Sequence, residues 1–509
     1  MPAKPLRAPT LARATALVAI ALSATALSAS IALATAPAAG ARVVTVTAAL
    51  QRLQATGSIS QATYLQYQHT FAAAKSSLAR LSGTRREELG AVLANVEAMA
   101  GKGQLSVSRL PVVFATVQRN REWWTTRYLP GSGERIAFTG SRLVWEHYPG
   151  QGIEIQWLGT FGEANGYYLS HQTTALREVL DEAIALATRR AGGIAWEYLF
   201  QFDGGRPPWT SGLSQGTAIQ VLARAWSRFK DPIYLAAAQK ALGIFKTSPP
   251  SGVRVGTRAG AHYAEYTFAP SDRILNGFIQ ALVGLYDYTS LTGDPLGLRL
   301  FEAGDAEARA EVPRYDTGGW SLYDQYGESS LNYHELLTEF LQHLCQRTRK
   351  GPPSTTATPP SPAPPAPGGP PAAGGPTTTG GGSASAARPG SAATAAAAPI
   401  AADQVYCTTA QRFSADLKTP PAIALLSRTL PGGARAGVQI SLSKISTVKL
   451  VVRQGGRVVW TNGATVEQGR PRLLWVTPAS GGTFTVTLTA TDLAGNFSTA
   501  NGTIVVRHR

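Results

Sequence analysis

The stretch AEYTFAPSDRILNGFIQALVGLYDY, from Ala264 to Tyr288, decides the fold of the central part of this 509-residue chain. Apolar residues recur at threes and fours in its second half, which predicts a helix over Arg273 to Leu291. Its first half is a polar and aromatic loop that carries Glu265 and Tyr266. The stretch therefore predicts a helical scaffold with titratable side chains in the loop before a helix.

Similar helical patterns surround this stretch and follow one another in pairs. Asp231 and Pro232 supply an N-cap and a first-turn proline, a signal for a new helix start. The further helices predicted are His171–Arg190, Ser211–Phe229, Ile233–Phe245, Leu298–Val312 and Leu331–Gln346. Helix-turn-helix units in series predict an α/α toroid, an incomplete barrel, over residues 164–350.

Two further units precede this region. Residues 42–126 show helical periodicity and predict an N-terminal helical domain, in which Trp123 and Trp124 pack against a neighbour. Residues 127–163 contain short alternating runs broken by glycine, which predict a short β-rich connection or hairpin. We expect the last of these runs, GIEIQWLGTF from Gly152 to Phe161, to be a strand.

The ends of the chain have different compositions. Residues 1–41 combine three basic residues, an acid-free apolar run and small residues at a cleavage position, the pattern of a secretory signal peptide. The alternative is an uncleaved membrane anchor. Residues 351–400 are almost entirely Pro, Gly, Ala, Ser and Thr and predict a flexible linker. Residues 401–509 predict a β-sandwich of immunoglobulin-like or fibronectin III-like type. We therefore expect a secreted or cell-surface multidomain protein that is mainly α.

Charge and cysteine content restrict the partners. The chain carries a formal charge of +16, but residues 401–509 hold 12 basic and 4 acidic side chains, whereas residues 164–350 are nearly neutral. We expect the basic C-terminal module to bind envelope glycan, and no nucleic-acid partner, because the chain is expected to be exported and its basic residues are scattered.

Cys345 and Cys407 form either a disulfide or two free thiols, and they are too few for a metal cluster. We predict no metal and no cofactor.

The central region resembles the C-terminal domain of the D-glucuronyl C5-epimerases of heparan sulfate and heparosan biosynthesis. The matching stretches are GLSQGTAIQVLARAW (212–226), the stretch 264–288, YDTGGWSLYD (315–324) and NYHELL (332–337). They occur in the family's order over about 165–345. The chain departs from the family at Tyr326, where the family has an arginine, and at Leu331 and Asn332, where it has tryptophan and aspartate. We interpret the chain as a secreted bacterial homologue.

This resemblance implies an isomerase that inverts C5 of glucuronate residues in an acidic polysaccharide of the heparosan type, through an enolate-like intermediate. It implies that Glu265 and Tyr266 match the family's catalytic pair and that Tyr323 and Tyr333 match its later active-site tyrosines. For substrate binding we predict Gln215, Arg273, Asn276, Tyr315 and His334. A phenol titrates near ~10, so a tyrosine base would need nearby positive charge. Arg206, Arg258, Arg273 and Arg314 are the candidates for that charge and for binding the substrate carboxylate.

Three alternatives fit the same residues. A polysaccharide lyase would abstract the same proton and then eliminate the 4-linked sugar. A glycoside hydrolase would need a second carboxylate across the bond from Glu265, such as Asp316, Asp324 or Glu335. A non-catalytic surface protein would bind glycan through its basic module. Whether Glu265 and the three tyrosines meet in one cleft separates the enzymes from the binding protein.

Overall fold

The N-terminal part of the protein is helical. The computed structural model describes residues 44–354 and 404–509, so the predicted signal peptide and most of the predicted linker lie outside the described residues. The first four helices are α1 (Val46–Ala55), α2 (Gln61–Arg80), α3 (Gly83–Gly101) and α4 (Leu110–Thr126). Ser60 caps α2 by accepting a hydrogen bond from the Thr63 amide. Trp123 and Trp124 are buried and pack against their neighbours, as their sequence predicts.

A small antiparallel sheet follows and leads into the next helices. It contains β1 (Arg135–Ile136), β2 (Trp145–Tyr148) and β3 (Gly152–Ile155), in that order. The prediction of a strand over 152–161 is correct only as far as Ile155, because the Gln156 side chain accepts from the Gly159 amide and starts α5 (Trp157–Leu169). Gly152 has φ +89°, and a Cβ there would lie 2.5 Å from Val92, so only glycine lets β3 pack on the N-terminal helices.

The helix predicted over 171–190 is shorter than expected. It is observed as α6 (Thr173–Ala185), and β4 (Thr188–Arg190) then pairs with β5 (Gly193–Ala195). The turn between the strands has positive φ at Ala191 and Gly192, a conformation that a helix cannot contain. Apolar spacing could not place this end, because the run TRR carries no periodic signal of its own.

Helices and short strands alternate in the central region. They are α7 (Gly212–Phe229), α8 (Pro232–Ala241), α9 (Gly243–Lys246), β6 (Arg254–Gly256), β7 (Ala261–Tyr263), α10 (Leu275–Thr292), α11 (Pro295–Glu311), a 3₁₀ turn (Val312–Tyr315) and α12 (Leu331–Thr348). Helices α7 and α10 pack backbone to backbone, since a Cβ on Gly284 would lie 2.1 Å from the Gly216 carbonyl oxygen. These helices share one continuous apolar core with α1–α4.

The C-terminal part begins with a helix that its sequence did not reveal. Helix α13 (Gln404–Asp416) buries Tyr406 and Phe413 in the core of the helical region, and Cys407 forms a disulfide with Cys345 of α12. The structure thus differs from the predicted boundary at 401, because the apolar residues of α13 face the helices rather than the sheets. Of the two possibilities left open by the cysteine count, a disulfide or two free thiols, the structure has the disulfide.

Two sheets enclose a separate apolar core after α13. The strands are β8 (Ile423–Leu425), β9 (Thr429–Leu430), β10 (Arg435–Leu442), β11 (Ser446–Gln454), β12 (Arg457–Val466), β13 (Arg472–Val476), β14 (Gly482–Asp492) and β15 (Phe497–Val506). Their orders are β13-β10-β8 and β12-β11-β14-β15-β9. The protein is therefore mainly α with a strand-rich C-terminal unit, residues 417–509. Among the described residues, no helix has the length and apolar character needed to cross a membrane.

Candidate active site

A cavity of about 550 Å³ contains all four of the side chains predicted to be catalytic. Its lining comprises Tyr148, Gln156, Leu158, Tyr198, Phe200, Phe202, Trp209, Ser211, Leu213, Glu265, Tyr266, Ile274, Asn276, Tyr323 and Tyr333. The predicted catalytic residues, which are up to 68 positions apart along the chain (Glu265 to Tyr333), thus line one space.

Four helices begin at the wall of this cavity. Gln156 caps α5, Ser211 caps α7 and Ile274 precedes the first residue of α10. Tyr333 is the third residue of α12. A helix N-terminus carries about half a positive charge from its unpaired backbone N–H groups. The cavity is therefore surrounded by the positive ends of helix dipoles, although its lining contains no Lys, Arg or His among the described residues.

Glu265 is held between two of these helix ends. Its Oε1 accepts a hydrogen bond of 3.0 Å from the Ser211 hydroxyl, and its backbone carbonyl accepts from the Gly212 amide at 3.1 Å. Its Oε2 is buried and has no hydrogen-bond partner in the described structure. Burial raises the pKa of Glu265 to about 7, and the hydrogen bond from Ser211 opposes this rise. The carboxyl group can therefore both take and give a proton near neutral pH.

Gly277, in the first turn of α10, makes room for this carboxylate. A Cβ at this position would lie 1.8 Å from Glu265 Oε2. The backbone of α10 and the carboxylate are therefore in close contact, and any larger residue would have to displace the oxygen. Neither composition nor periodicity identifies this glycine, since its role depends on a neighbour 12 residues earlier in the chain.

The three phenols interact with one another and with Glu265. The rings of Tyr323 and Tyr333 have centroids 4.6 Å apart. Burial, followed by the negative charge of Glu265, raises the pKa of Tyr266 well above its usual value. Burial, followed by the neighbouring Tyr333 and Glu265, also raises the pKa of Tyr323, and burial followed by Glu265 raises that of Tyr333. The cavity lining contains no arginine among the described residues, so a tyrosine base activated by arginine stays a prediction, and the raised pKa values keep these phenols neutral near pH 7.

An aromatic wall completes the cavity. Tyr198 stacks on Trp209 at a centroid distance of 4.2 Å, and Tyr266 lies 5.7 Å from the same indole. Phe200 and Phe202 belong to the same wall. Flat rings of this kind suit the C–H face of a sugar. The sequence analysis missed this wall, although the aromatic density of WEYLFQF (196–202) was a visible signal.

Only one of the five side chains predicted to bind substrate lines the cavity. Asn276, the second residue of α10, does so, and its Oδ1 is buried without a partner in the described structure. Gln215 is buried on α7 beyond the cavity lining. Its Oε1 and Nε2 are both buried without a hydrogen-bond partner in the described structure, so a role in sugar binding stays a prediction.

The other three form structural contacts instead. Arg273 forms an ion pair with Glu311 at 3.3 Å, and the Tyr315 hydroxyl donates to the Arg273 carbonyl. His334 is fully buried, stacks on Trp320 and interacts with the Phe413 carbonyl through Nε2 at 3.0 Å. His334 adjoins Tyr333 in a helix, where consecutive side chains point about 100° apart, so only one of them can reach the cavity.

The remaining arginine candidates do not line the cavity either. Arg206, Arg258 and Arg314 are exposed. Tyr326, which replaces the arginine expected from the resemblance, is 75% exposed and also lies outside the lining. Side-chain cations are thus absent from the described cavity, and positive potential there comes from the helix ends.

The loop that carries Tyr323 is fastened to the C-terminal β-unit. Glu328 accepts from the backbone amides of Gln468 at 3.0 Å and Ile445 at 3.4 Å. Lys444 lies over the Trp320 ring at 5.5 Å. Within the loop, the Tyr323 amide donates to the Gly327 carbonyl at 2.9 Å. The β-unit therefore helps to hold Tyr323 in place, a role that sequence reasoning did not anticipate.

No group of three or more His, Cys, Asp or Glu side chains within 44–354 and 404–509 is arranged to hold a metal ion.

Comparisons with known proteins agree on the central region. Residues 191–356 match the family described as D-glucuronyl C5-epimerase C-terminus. A D-glucuronyl C5-epimerase of Caenorhabditis elegans is 37% identical over 131 residues, covering 23% of this chain and 21% of that protein. An uncharacterized protein of Methanocaldococcus jannaschii is 29% identical over 151 residues, covering 28% of this chain and 49% of that protein. The chain thus spans less than half the length of either relative. Residues 191–356 are thus similar to the C-terminal domain of the D-glucuronyl C5-epimerases.

Proposed function

We propose that the cavity inverts C5 of D-glucuronate residues within an acidic polysaccharide. The observation that carries this proposal is the meeting of one carboxyl group, five neutral phenols and four helix N-termini in a single aromatic cavity. Similarity to the Caenorhabditis elegans epimerase supports it. We extend the proposal to an unsulfated, heparosan-like substrate and to an exported protein. We also extend it to an α/α toroid and an immunoglobulin-like sandwich as the finer descriptions of the two folded parts.

The reaction requires help because the proton on C5 is very weakly acidic. It lies next to a carboxylate, and its removal places a second negative charge on that group. Charge that develops in a transition state is stabilised best by dipoles that are already oriented. The N-terminal N–H groups of α5, α7, α10 and α12 are such dipoles, and they replace the arginine that the sequence suggested.

Glu265 acts as the base on one face of the sugar. As its Oε2 takes the C5 proton, the C5–H electron pair moves into the substrate carboxylate and gives an enolate-like intermediate. A pKa of about 7 makes the ionised form available at neutral pH and gives it more basicity than a free glutamate. The Ser211 hydrogen bond fixes Oε1, so Oε2 remains for the substrate.

A phenol returns a proton to the other face. Tyr333 and Tyr323 are neutral and partly face the same cavity. When one of them protonates C5, its O–H bond breaks as the new C5–H bond forms. The resulting phenolate regains a proton from Glu265 through the interacting hydroxyl groups. The cycle therefore consumes nothing, as an epimerisation must.

A glycoside hydrolase fits this site poorly. Such an enzyme needs two carboxyl groups flanking the bond, and Glu265 is the single acidic residue in the described lining. Asp316 pairs with Arg412 at 2.7 Å, and Asp324 accepts from the Tyr326 amide. These two carboxylates therefore stabilise the loop that carries Tyr323 and do not line the cavity.

The test is to incubate the full chain with heparosan in ordinary water. The products are then examined by NMR for iduronate and by ultraviolet absorbance for an unsaturated sugar. We expect iduronate without chain cleavage, and at least a 100-fold loss in Glu265→Gln and Tyr333→Phe. Tyr326→Phe is the matched control, because it removes the same hydroxyl group outside the cavity and should keep full activity. An unsaturated product would assign a lyase instead, and equal losses in the Tyr333 and Tyr326 variants would contradict the proposed site.

A further inference from the structure

The charged side chains of the C-terminal β-unit are almost all basic. Residues 417–509 contain 11 basic and 2 acidic side chains. Asp492 is buried in an ion pair with Lys444 at 2.8 Å, so Glu467 is the unit's remaining acidic side chain. Among the described residues of this unit, that buried pair is the one ion pair within 4 Å. The other cations of the unit are therefore available to an anionic partner.

One face of this unit combines cations with exposed apolar side chains. In β10 and β13 the inward residues are buried, and Arg435, Gly437, Arg472, Leu474 and Val476 point outward. Arg435 pairs with Val476, and Gln439 pairs with Arg472. The two arginines thus stand four residues apart along β10, or roughly 14 Å at the rise of a strand. Leu474, opposite Gly437, lies midway between them and is 38% exposed, and Val476, opposite Arg435, is 44% exposed.

The position of Arg472 on this face is supported by the backbone beneath it. A Cβ on Gly437 would lie 3.0 Å from the Arg472 Cδ and 3.2 Å from its Cβ. The aliphatic part of Arg472 therefore lies flat across Gly437, and its guanidinium group extends along the sheet. Strand β12 borders the same face, since Trp460 Nε1 and Asn462 Nδ2 both donate to the Leu474 carbonyl, at 3.0 and 2.9 Å.

The surroundings of the catalytic cavity carry three carboxylates, and Arg273, next to the lining residue Ile274, is already paired with Glu311 at 3.3 Å. Asp203, Asp272 and Asp324 each lie within two residues of a cavity-lining residue. Burial, then the negative charges of Asp324 and Asp203, raise the pKa of Asp272, so the three carboxylates lie near one another. An acidic chain would be repelled there unless another part of the protein held it.

We propose that the β10–β13 face, consisting of Arg435, Arg472, Leu474 and Val476, is a binding site for an unbranched acidic polysaccharide. Guanidinium groups bind carboxylates through paired hydrogen bonds, and the apolar floor between them suits the C–H face of sugar rings. The two arginines, roughly 14 Å apart, match a polymer whose carboxylates are widely spaced along the chain. A nucleic acid carries a phosphate at every nucleotide and favours denser cationic contacts. The site is distinct from the catalytic cavity and does not depend on the proposed reaction.

The test compares two charge reversals in the full chain. Arg435→Glu/Arg472→Glu changes the proposed face. Lys449→Glu/Arg453→Glu makes the same change in charge on β11, in the other sheet, and serves as the matched control. Binding to immobilised heparosan is measured at two salt concentrations, with a DNA duplex of similar length as the competing polyanion. Circular dichroism checks that each variant is folded, and Arg435→Gln/Arg472→Gln replaces the first variant if it is not.

We expect the first pair to weaken heparosan binding at least 10-fold and to reduce its salt dependence, while the control pair changes it less than threefold. Equal losses from both pairs, tighter binding to DNA than to heparosan, or no heparosan binding by the unmodified chain would each overturn the proposal. Conversion of a short glucuronate oligosaccharide is measured in parallel. Heparosan binding without conversion would leave this site standing and remove the proposed reaction. Conversion of the oligosaccharide together with unchanged heparosan binding by Arg435→Glu/Arg472→Glu would support the proposed reaction and remove this binding site.

Discussion

Replacing Gly277 by alanine tests whether the packing of α10 sets the position of the catalytic carboxylate. The added Cβ would lie 1.8 Å from Glu265 Oε2, whereas real Cβ atoms stay at least 3.0 Å from other heavy atoms, so the oxygen has to move by about 1.2 Å. A misplacement of about 1 Å can cost roughly 100-fold in rate. We therefore expect kcat/KM on heparosan to fall about 100-fold, equivalent to about 2.7 kcal/mol of transition-state stabilisation.

The assay is initial-rate epimerisation followed by NMR, with Gly166→Ala as the matched control. Gly166 lies within α5, and a Cβ there meets no atom within 4 Å. Alanine is favoured over glycine in a helix by about 0.5–1 kcal/mol, so a weakened helix would not explain a loss in either variant.

Thermal unfolding separates a displaced carboxylate from general damage. If the contact with Glu265 is the cause, Glu265→Ala/Gly277→Ala should unfold at a higher temperature than Gly277→Ala alone. Full activity in Gly277→Ala would refute the assigned position of Glu265, and so would a double variant no more stable than the single one.

Three further predictions follow from the same contacts. The raised pKa of Glu265 predicts that kcat/KM rises with pH through about 7 as the base ionises. Because the folded state binds the Glu265 proton more tightly than the unfolded chain, the free energy of unfolding should also fall between about pH 4.5 and 7. Activity and unfolding measured against pH in wild type and Glu265→Gln should show both trends disappearing in the variant. Glu328→Ala removes two hydrogen bonds that hold the Tyr323 loop. We therefore expect activity to fall about 10-fold while circular dichroism shows that the helical core is intact. An unchanged rate would show that the β-unit does not position Tyr323. Cys345→Ser/Cys407→Ser removes the link between α12 and α13 and should lower the free energy of unfolding by about 2–4 kcal/mol under oxidising conditions, with added reductant leaving the variant unaffected.

The helices were predictable from sequence where apolar spacing was supported by caps. Ser211 begins α7 and Asp231 with Pro232 begins α8, and both starts lie where the sequence placed them. The end of α6 was not predictable, because a strand pairing that involves the turn at Ala191 overrides helical spacing. Helix α13 was obscured by its position beside a region of biased composition, although Tyr406, Ala410 and Phe413 have helical spacing.

The convergence of the candidate catalytic side chains on one cavity was predictable from sequence, and their electrostatic setting was not. Motif resemblance selected Glu265, Tyr266, Tyr323 and Tyr333, which do line one cavity. It could not show that four helix N-termini meet at this cavity, because which helix ends converge depends on tertiary packing rather than on any local residue pattern. His334 illustrates the same limit, since consecutive side chains in a helix point about 100° apart, so a residue next to Tyr333 in sequence need not face the cavity.

The central claim is that Glu265 removes the C5 proton of a glucuronate residue in this cavity. Incubation of heparosan with the protein in deuterated water, followed by NMR of C5, tests it most directly. We predict deuterium at C5 with wild type, and at least a 100-fold slower incorporation with Glu265→Gln, whose side chain has nearly the same shape but cannot accept the proton. Incorporation at the wild-type rate in Glu265→Gln would contradict the claim, as would a lack of exchange by the wild-type protein.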